Sequence, residues 1–372
     1  LIDVRNTARI DRSYIMRLLI IRTSAAGDVL HALPALEAIR THLPEAHIGW
    51  LVESLAHPFV ERHPAVDQVF HWPRKAWKKE GGRRFLRKKN HELFQKIRDA
   101  EFDTAIDFQG NLKSGWVAWQ TGCKRRIGFA GPNSRDANGL FMTERHRPTN
   151  EQAHIIDQNL SLATALGIPA VEPGSAPDVR LPPLPEIESI LEQPAQWERC
   201  VLMNPGAGWA AKQWPPDHFA ALAIKLKEKF PDRPLSITIG PGEEPLREAI
   251  HDAIRERSAN PDDIFQPLPI LKFLQLAALL KQTSLFISGD TGPLHLAAAL
   301  KVPCVALFAE VPSWRNGPYG DIHRVFDCSA DQPRRPFWQT RHRKLDPDVV
   351  PLTRFTAEDV LAACRDLLQK NG

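Results

Sequence analysis

Four short stretches of this chain set a carboxylate, a cation or a histidine among small residues that leave the backbone open. In Thr23-Ser24-Ala25-Ala26-Gly27-Asp28 an acid follows a glycine. Asp28 has two readings: a helix N-cap, or a general base at the mouth of a cleft. His31 could tune it or serve as a structural hydrogen-bonder. In "NPGAGWAAKQWP" (204–215), Gly206, Ala207 and Gly208 bring the backbone close to a ligand and aim N–H groups at it. Lys212 adds a mobile positive charge. The combination suits a phosphate without being a Walker loop; the alternative is a surface loop with an exposed lysine. In Gly240-Pro241-Gly242-Glu243-Glu244 the paired acids could accept bonds from ribose hydroxyls, or simply complement a helix dipole. In "SGDTGPLHLAAAL" (288–300), Pro293 fits the first turn of a helix with Gly292 as its cap. Thr291, Gly292, Leu294 and His295 then offer donors to an anion at the positive end of the dipole. Asp290 would repel that anion. It is expected to accept backbone N–H bonds or to orient a sugar hydroxyl. The bland reading is an ordinary turn with an Asx cap.

Each stretch needs a strand before it and a helix after it, and the periodicity supplies both. Leu18-Leu19-Ile20-Ile21-Arg22 reads as a buried strand, and Leu33, Leu36, Ile39 and Leu43 mark a helix. Further strands are expected at 48–52, 104–108 and 126–129, with a helix over 152–166 capped by Gly167. Seven prolines and glycines between 169 and 185 mark a crossover. Alternation resumes with strands at 201–203, 235–239, 285–288 and 303–308. Thr356 with Asp359 is an N-cap with an acid at N3, opening a final helix. Two successive runs of β-α-β units imply an α/β protein of two Rossmann-like, doubly wound domains, with ligands at the carboxyl ends of the strands.

Bulk properties exclude several classes. The chain has 372 residues, 43% hydrophobic and 25% charged, with a net charge of +4. That balance describes a soluble globular protein. No apolar run approaches the ~18 residues of a membrane helix. The first residues lack the apolar core of a signal peptide, and residues 1–15 read as an extension before Met16. Cys123, Cys200, Cys304, Cys328 and Cys364 form no C-x-x-C pair, so reduced structural thiols are expected. Between Trp72 and Arg98 the basic residues are opposed only by Glu80 and Glu92. With Trp72, Trp77 and Phe85 among them, they suit an anionic membrane surface; the alternative is a solvated helix face. A second basic cluster lies at 334–344. The charges of 72–98 lie outside any recognisable nucleic-acid-binding module, so no nucleic-acid partner is expected.

In order along the chain, "TSAAGDVLHALPAL", "DFQGNLKS", "RRIGF", "NPGAGWAAKQWP", "SGDTGPLHLAAAL" and "GPYG" resemble the ADP-heptose:lipopolysaccharide heptosyltransferases of glycosyltransferase family 9, most of all the type I enzymes. The resemblance implies a GT-B architecture. Residues 16–175 would be the acceptor domain, 186–345 the nucleotide-sugar domain, and 355–372 a helix returning to the first domain. It implies transfer of a heptose from ADP-heptose to the Kdo of a lipid A acceptor, by an enzyme without a cofactor or metal at the inner face of the bacterial inner membrane. Asp28 would be the base and Lys212 would hold the diphosphate. Glu243 and Glu244 would take the ribose and Leu271 would flank the adenine. Gly206, Ala207, Gly208, Asp290, Thr291, Gly292 and His295 would line the donor, and Gly27, Lys113, Arg125 and Arg126 the acceptor. Burial is expected to raise the pKa of Asp28. Another nucleotide-sugar transferase and a non-catalytic scaffold remain as alternatives, and the oligomeric state is open.

Overall fold

A computed structural model describes residues 15–208, 212–309, 311–330 and 352–370. The extension before Ile15 and the basic cluster at 334–344 lie outside them. The first sheet is built from β1 (Arg17–Ile21), β2 (His47–Val52), β3 (Gln68–His71), β4 (Thr104–Asp107), β5 (Arg125–Phe129) and β6 (Glu144–His146). Its order is β3-β2-β1-β4-β5-β6, and the pairings are parallel. β1 is central, with Leu18 opposite Ile48 on one side and Thr104 on the other. Burial on both faces explains its unbroken apolar run. The second sheet has β7 (Cys200–Asn204), β8 (Leu235–Ile237), β9 (Thr283–Gly289), β10 (Cys304–Phe308) and β11 (Arg324–Asp327), in the parallel order β11-β10-β9-β7-β8.

Strand order reverses between β1 and β4 in one sheet and between β7 and β9 in the other. At such points the connections diverge to opposite faces and leave a crevice beyond the strand ends. The turns after these four strands begin at residues 22, 108, 205 and 290, so three of the four polar stretches singled out above start at the two crevices, while 240–244 follows β8.

Helices follow the strands: α1 (Ala26–Leu30), α2 (Leu33–His42), α3 (Arg74–Asp99), α4 (Leu112–Gln120), α5 (Ile155–Ala163), α6 (Pro216–Lys229), α7 (Glu244–Arg255), α8 (Phe273–Leu280), α9 (Gly292–Ala299), α10 (Ser313–Asn316) and α11 (Ala357–Lys370). α3 is broken at Gly81-Gly82, where Gly82 takes φ +65°. α5 ends in a 3-10 turn closed by Gly167 at φ +81°.

Apolar residues pack in three groups. One covers the outer face of each sheet, and the third runs continuously from the inner face of the first sheet to that of the second. Leu30, Leu33 and Ile39 of the first domain share it with Leu276, Leu294 and Leu296 of the second. The domains therefore meet through packed helices α1 and α9. The crossover is pinned back onto α2, where Arg180 donates to Glu37 at 2.6 and 2.9 Å.

The last helix differs from expectation. Val360, Cys364, Leu367 and Leu368 of α11 are buried with Phe219, Leu222 and Leu285 on the outer face of the second sheet, so its described part packs on the second domain, not the first. The cap expected at its start is present, with Asp359 accepting from the Thr356 N–H at 2.9 Å and donating its own N–H back to Oγ1. All five cysteines are buried free thiols.

Candidate active site between the two domains

The turn after β1 carries Asp28 at the third position of α1. Its Oδ2 accepts the Ala25 N–H at 3.1 Å, and its Oδ1 pairs with Arg22 Nη2 at 2.6 Å. Asp28 thus performs half of a capping box, yet keeps 36% of its side chain exposed at the cleft. Arg22, at the end of β1, is buried beneath it and also donates to the Phe108 carbonyl at 2.5 Å. The apolar pattern of residues 18–22 marks Arg22 only as the last residue of the strand. A cation closing an apolar strand at a switch point was the available signal.

The electrostatics correct one expectation. The low-dielectric wall of the cleft raises the Asp28 carboxyl, but Arg22, the Ala25 N–H, Arg315 and His295 together outweigh it, and the net shift is downward. Asp28 is ionised at neutral pH. Arg315, on α10, is a contributor that no motif signalled.

The turn after β4 supports the turn after β1. Gln109 Oε1 accepts from both the N–H and the hydroxyl of Thr23, at 3.0 and 2.8 Å. Buried Asp107 accepts four bonds, from the N–H groups of Gln109 and Gly110, the Ser114 hydroxyl and the Asn138 amide. Gly110 has φ +67°, and a Cβ there would lie 2.6 Å from the Asn133 carbonyl oxygen. Lys113 stands at the rim, donating to Glu53 at 2.8 Å and lying over the Trp72 ring.

Across the cleft, Asn204 at the end of β7 donates to Ser288 and Thr291, each at 3.1 Å. Thr291, not Gly292, is the N-cap of α9, its hydroxyl accepting the Leu294 N–H. Among the described residues no backbone N–H donates to Asp290, the first of the two roles expected of it. It accepts from Lys212 Nζ at 3.1 Å, and its other oxygen lies 3.3 Å from His295 Nε2. Burial raises its pKa, but His295 and Lys212 hold it below the usual carboxylate value. An acid beside a phosphate-type turn is tolerable because two partners already compensate its charge. Glu243 accepts the Gly240 N–H at 2.7 Å, and a Cβ on Gly206 would fall 2.3 Å from its carboxylate. The absent side chain therefore brings the turns after β7 and β8 together. Ala207 is half-buried and Gly208 exposed beside them, while Glu244 is the first residue of α7. Leu271 is half-buried just ahead of α8, and Arg247 of α7 donates to the nearby Leu268 carbonyl.

At Gly27 the two sides of the cleft come together. A Cβ on Gly27 would lie 2.3 Å from the His295 ring, so only glycine permits this approach. Asp28 is thus adjacent in sequence to the residue that seats His295, and His295 reaches Asp290, which holds Lys212. Gly27 is buried in this contact instead of facing an acceptor. His31 packs edge-on to His295, with ring centroids 4.3 Å apart, and to His154. Burial, with its cationic and histidine neighbours, drives the His31 pKa well down. His154 donates Nε2–H to the Gly317 carbonyl at 2.9 Å and accepts the Ile156 N–H, and burial lowers it to about 4. The GPYG loop completes the junction: Tyr319 donates to Asp157 at 2.5 Å and accepts the Gly174 N–H.

Arg125 and Arg126 are not brought to this site. They open β5 at the amino end of the sheet, away from the crevice. Arg125 forks onto Glu144 at 2.7 and 2.9 Å, and Arg126 donates to the Phe141 and Cys123 carbonyls.

The arrangement can ionise and hold one carboxylate on one wall of a crevice, and present a lysine with glycine-turn N–H groups on the other. Lipopolysaccharide heptosyltransferase 1 of Pseudomonas aeruginosa is 28% identical over 306 residues, covering 82% of each chain. The glycosyltransferase family 9 structure from Veillonella parvula superposes with a TM-score of 0.77 at 19% identity, over 95% of this chain and 98% of that one. The E. coli heptosyltransferase WaaC with ADP-2-deoxy-2-fluoro heptose gives 0.71 at 22%, over 96% and 100%. The fold is GT-B. The model of glycosyltransferase family 9 (heptosyltransferase) matches residues 90–339, and the chain belongs to that family of transferases.

Proposed function

We propose that this glycosyltransferase moves a heptose from ADP-heptose, with inversion, to the Kdo of a lipid A-linked inner core at the inner face of the cytoplasmic membrane. The observation that carries the reading is the juxtaposition across the Gly27–His295 contact of ionised Asp28 with the Asp290–Lys212 pair. The P. aeruginosa relative's name supports the reaction, and the ADP-sugar in the WaaC structure supports the donor.

In this reading the acceptor hydroxyl hydrogen-bonds to Asp28 and attacks the anomeric carbon from the first domain. The bond from that carbon to the β-phosphate oxygen breaks, ADP leaves, and the hydroxyl proton passes to Asp28. Lys212 and the N–H groups of Gly206, Ala207 and Gly208 offset the charge growing on the diphosphate. Asp290, paired with Lys212 and His295, keeps the lysine aimed. Glu243 and Glu244 take the ribose and Leu271 flanks the base. Lys113 meets the anionic acceptor. Because Arg22 holds Asp28 below the ordinary pKa, the proton moves late, when the attacking oxygen has become acidic. General base catalysis of this kind contributes about 10²–10⁴-fold. Enzymes of this class need roughly 10⁶-fold or more, so positioning by the two domains supplies the rest. No metal takes part in this scheme.

The test is ADP release from a panel of nucleotide sugars, with and without Kdo-lipid A. Rapid release only with ADP-heptose and acceptor together, undiminished by excess EDTA, is expected. Preference for another nucleotide sugar, acceptor-independent turnover or loss of rate in EDTA would contradict the reading.

A further inference from the structure

Helix α4 is apolar on two sides. Its inner side buries Val117 and Ala118 against the sheet. Its outer side presents Leu112, Trp116 and Trp119, spaced by four and three residues so that they form one stripe, and 49, 37 and 55% exposed. The 3-10 turn Asn138–Phe141 packs on the same helix, and Leu140 on it is 83% exposed. A contiguous outward apolar stripe of this kind marks an interaction surface.

Its neighbour indicates the partner. Phe94 of α3 meets Trp116 edge-on at 5.5 Å, and Arg98 donates to the Gln120 carbonyl at 2.9 Å, so the second segment of α3 lies alongside α4. That segment exposes Arg83, Arg84, Arg87, Lys88 and Lys96, and Lys124 is exposed just beyond α4. Tryptophan and leucine beside a bank of cations match the boundary between acyl chains and anionic headgroups. They do not match a nucleic acid, which offers no apolar layer for Leu112 and Leu140.

We propose that α4, the 138–141 turn and the second segment of α3 form a docking face for an anionic lipid bilayer. The Trp and Leu side chains enter the headgroup–acyl boundary and the α3 cations lie over the headgroups. α4 starts at the carboxyl end of β4, so the stripe begins at the rim of the cleft on the Asp28 side. A lipid-linked acceptor would then meet Asp28 from the membrane to which the enzyme is docked, a purpose that rests on the function proposed above. The basic stretch 72–98 is only half of this face. The apolar half comes from residues 112–140.

Flotation of the full chain with vesicles of phosphatidylcholine, alone or mixed with phosphatidylglycerol, reads docking without any acceptor. At low salt the chain is expected to float with the anionic vesicles and not with the neutral ones. Replacing Trp119→Ser together with Leu140→Ser should lower its partitioning about tenfold. Trp119→Phe should keep it, and transfer to a lipid-free Kdo acceptor should be unchanged in every variant. If the double variant melts early, Leu140→Glu alone carries the same test. Failure of the wild-type chain to float with anionic vesicles, or equal flotation of the serine variant, overturns the proposal. So does concentration-dependent self-association that the serine variant abolishes, which would make the stripe an interface between copies. Flotation without heptose transfer would count against the proposed function and not against the docking face.

Discussion

The two carboxylate oxygens of Asp28 have separate duties. One closes the first turn of α1 and the other meets a buried guanidinium. A cap alone would not need Arg22, whose burial costs free energy unless its charge is paired. The pair has a definite kinetic signature. Arg22 lowers the Asp28 pKa, so removing its charge raises it. In Arg22→Met the acidic limb of the kcat/KM profile should move to higher pH, while Arg22→Lys moves it less. Profiles that fall in amplitude without shifting would show that Arg22 only supports the fold. Gly27 offers a second test at this scale. In Gly27→Ala the new methyl group meets the His295 ring, an overlap that costs about 1–3 kcal/mol and loosens the contact between the domains. Turnover should fall more than ADP affinity, measurable by steady-state kinetics beside calorimetric titration. Asp28 itself was visible in the sequence as an acid at a strand-to-helix turn. Its low pKa was not, because that depends first on Arg22 lying beneath it once the turn after β1 is folded, and then on Arg315 and His295, which are remote in the chain.

Among the elements, the histidines where α1, α5 and α9 meet make the junction sensitive to acid. His154 in the folded chain titrates at about 4, below its ordinary value of 6.5. As pH falls below 6.5 the unfolded chain takes up the proton first, so stability is lost progressively down to about pH 4 and is complete above 6.5. His31 acts in the same direction, and both lie close to His295 and Arg315. The His154 contribution is at most roughly 3 kcal/mol. Melting followed from pH 7.5 to 5 should show the decline, and His154→Gln should flatten it. An equal slope in the variant would assign the acid sensitivity elsewhere. Element identity was legible wherever periodicity was strong: β1, α2, β9 and α9 lie where the pattern puts them. The attachment of α11 was not, since an amphipathic stripe says which side of a helix is buried but not against which sheet. Nor was the place of Arg125 and Arg126. A basic pair in a motif does not reveal which end of a strand it occupies until the strand is in register with its neighbours.

At the scale of the whole molecule, two switch points face each other across a joint made by α1 and α9. The alternation of strands and helices made this two-domain plan readable. The contact that joins its halves was not readable, because it depends on a missing side chain at Gly27 and on the charge pairing of Asp290 with residues 78 positions earlier and five later in the chain. Asp290 shows the difference most clearly: in one dimension it is an acid that should repel a phosphate, and in three it is the link between a lysine and a histidine. If this joint sets the site, chemistry and donor binding belong to different domains and should separate on mutation. The direct measurement is turnover of Asp28→Ala beside its calorimetric affinity for ADP. The account predicts a fall in kcat of about 10²–10⁴-fold with ADP affinity unchanged. A kcat within a few-fold of the wild-type value, or a loss of ADP affinity in proportion to the loss of rate, would contradict it.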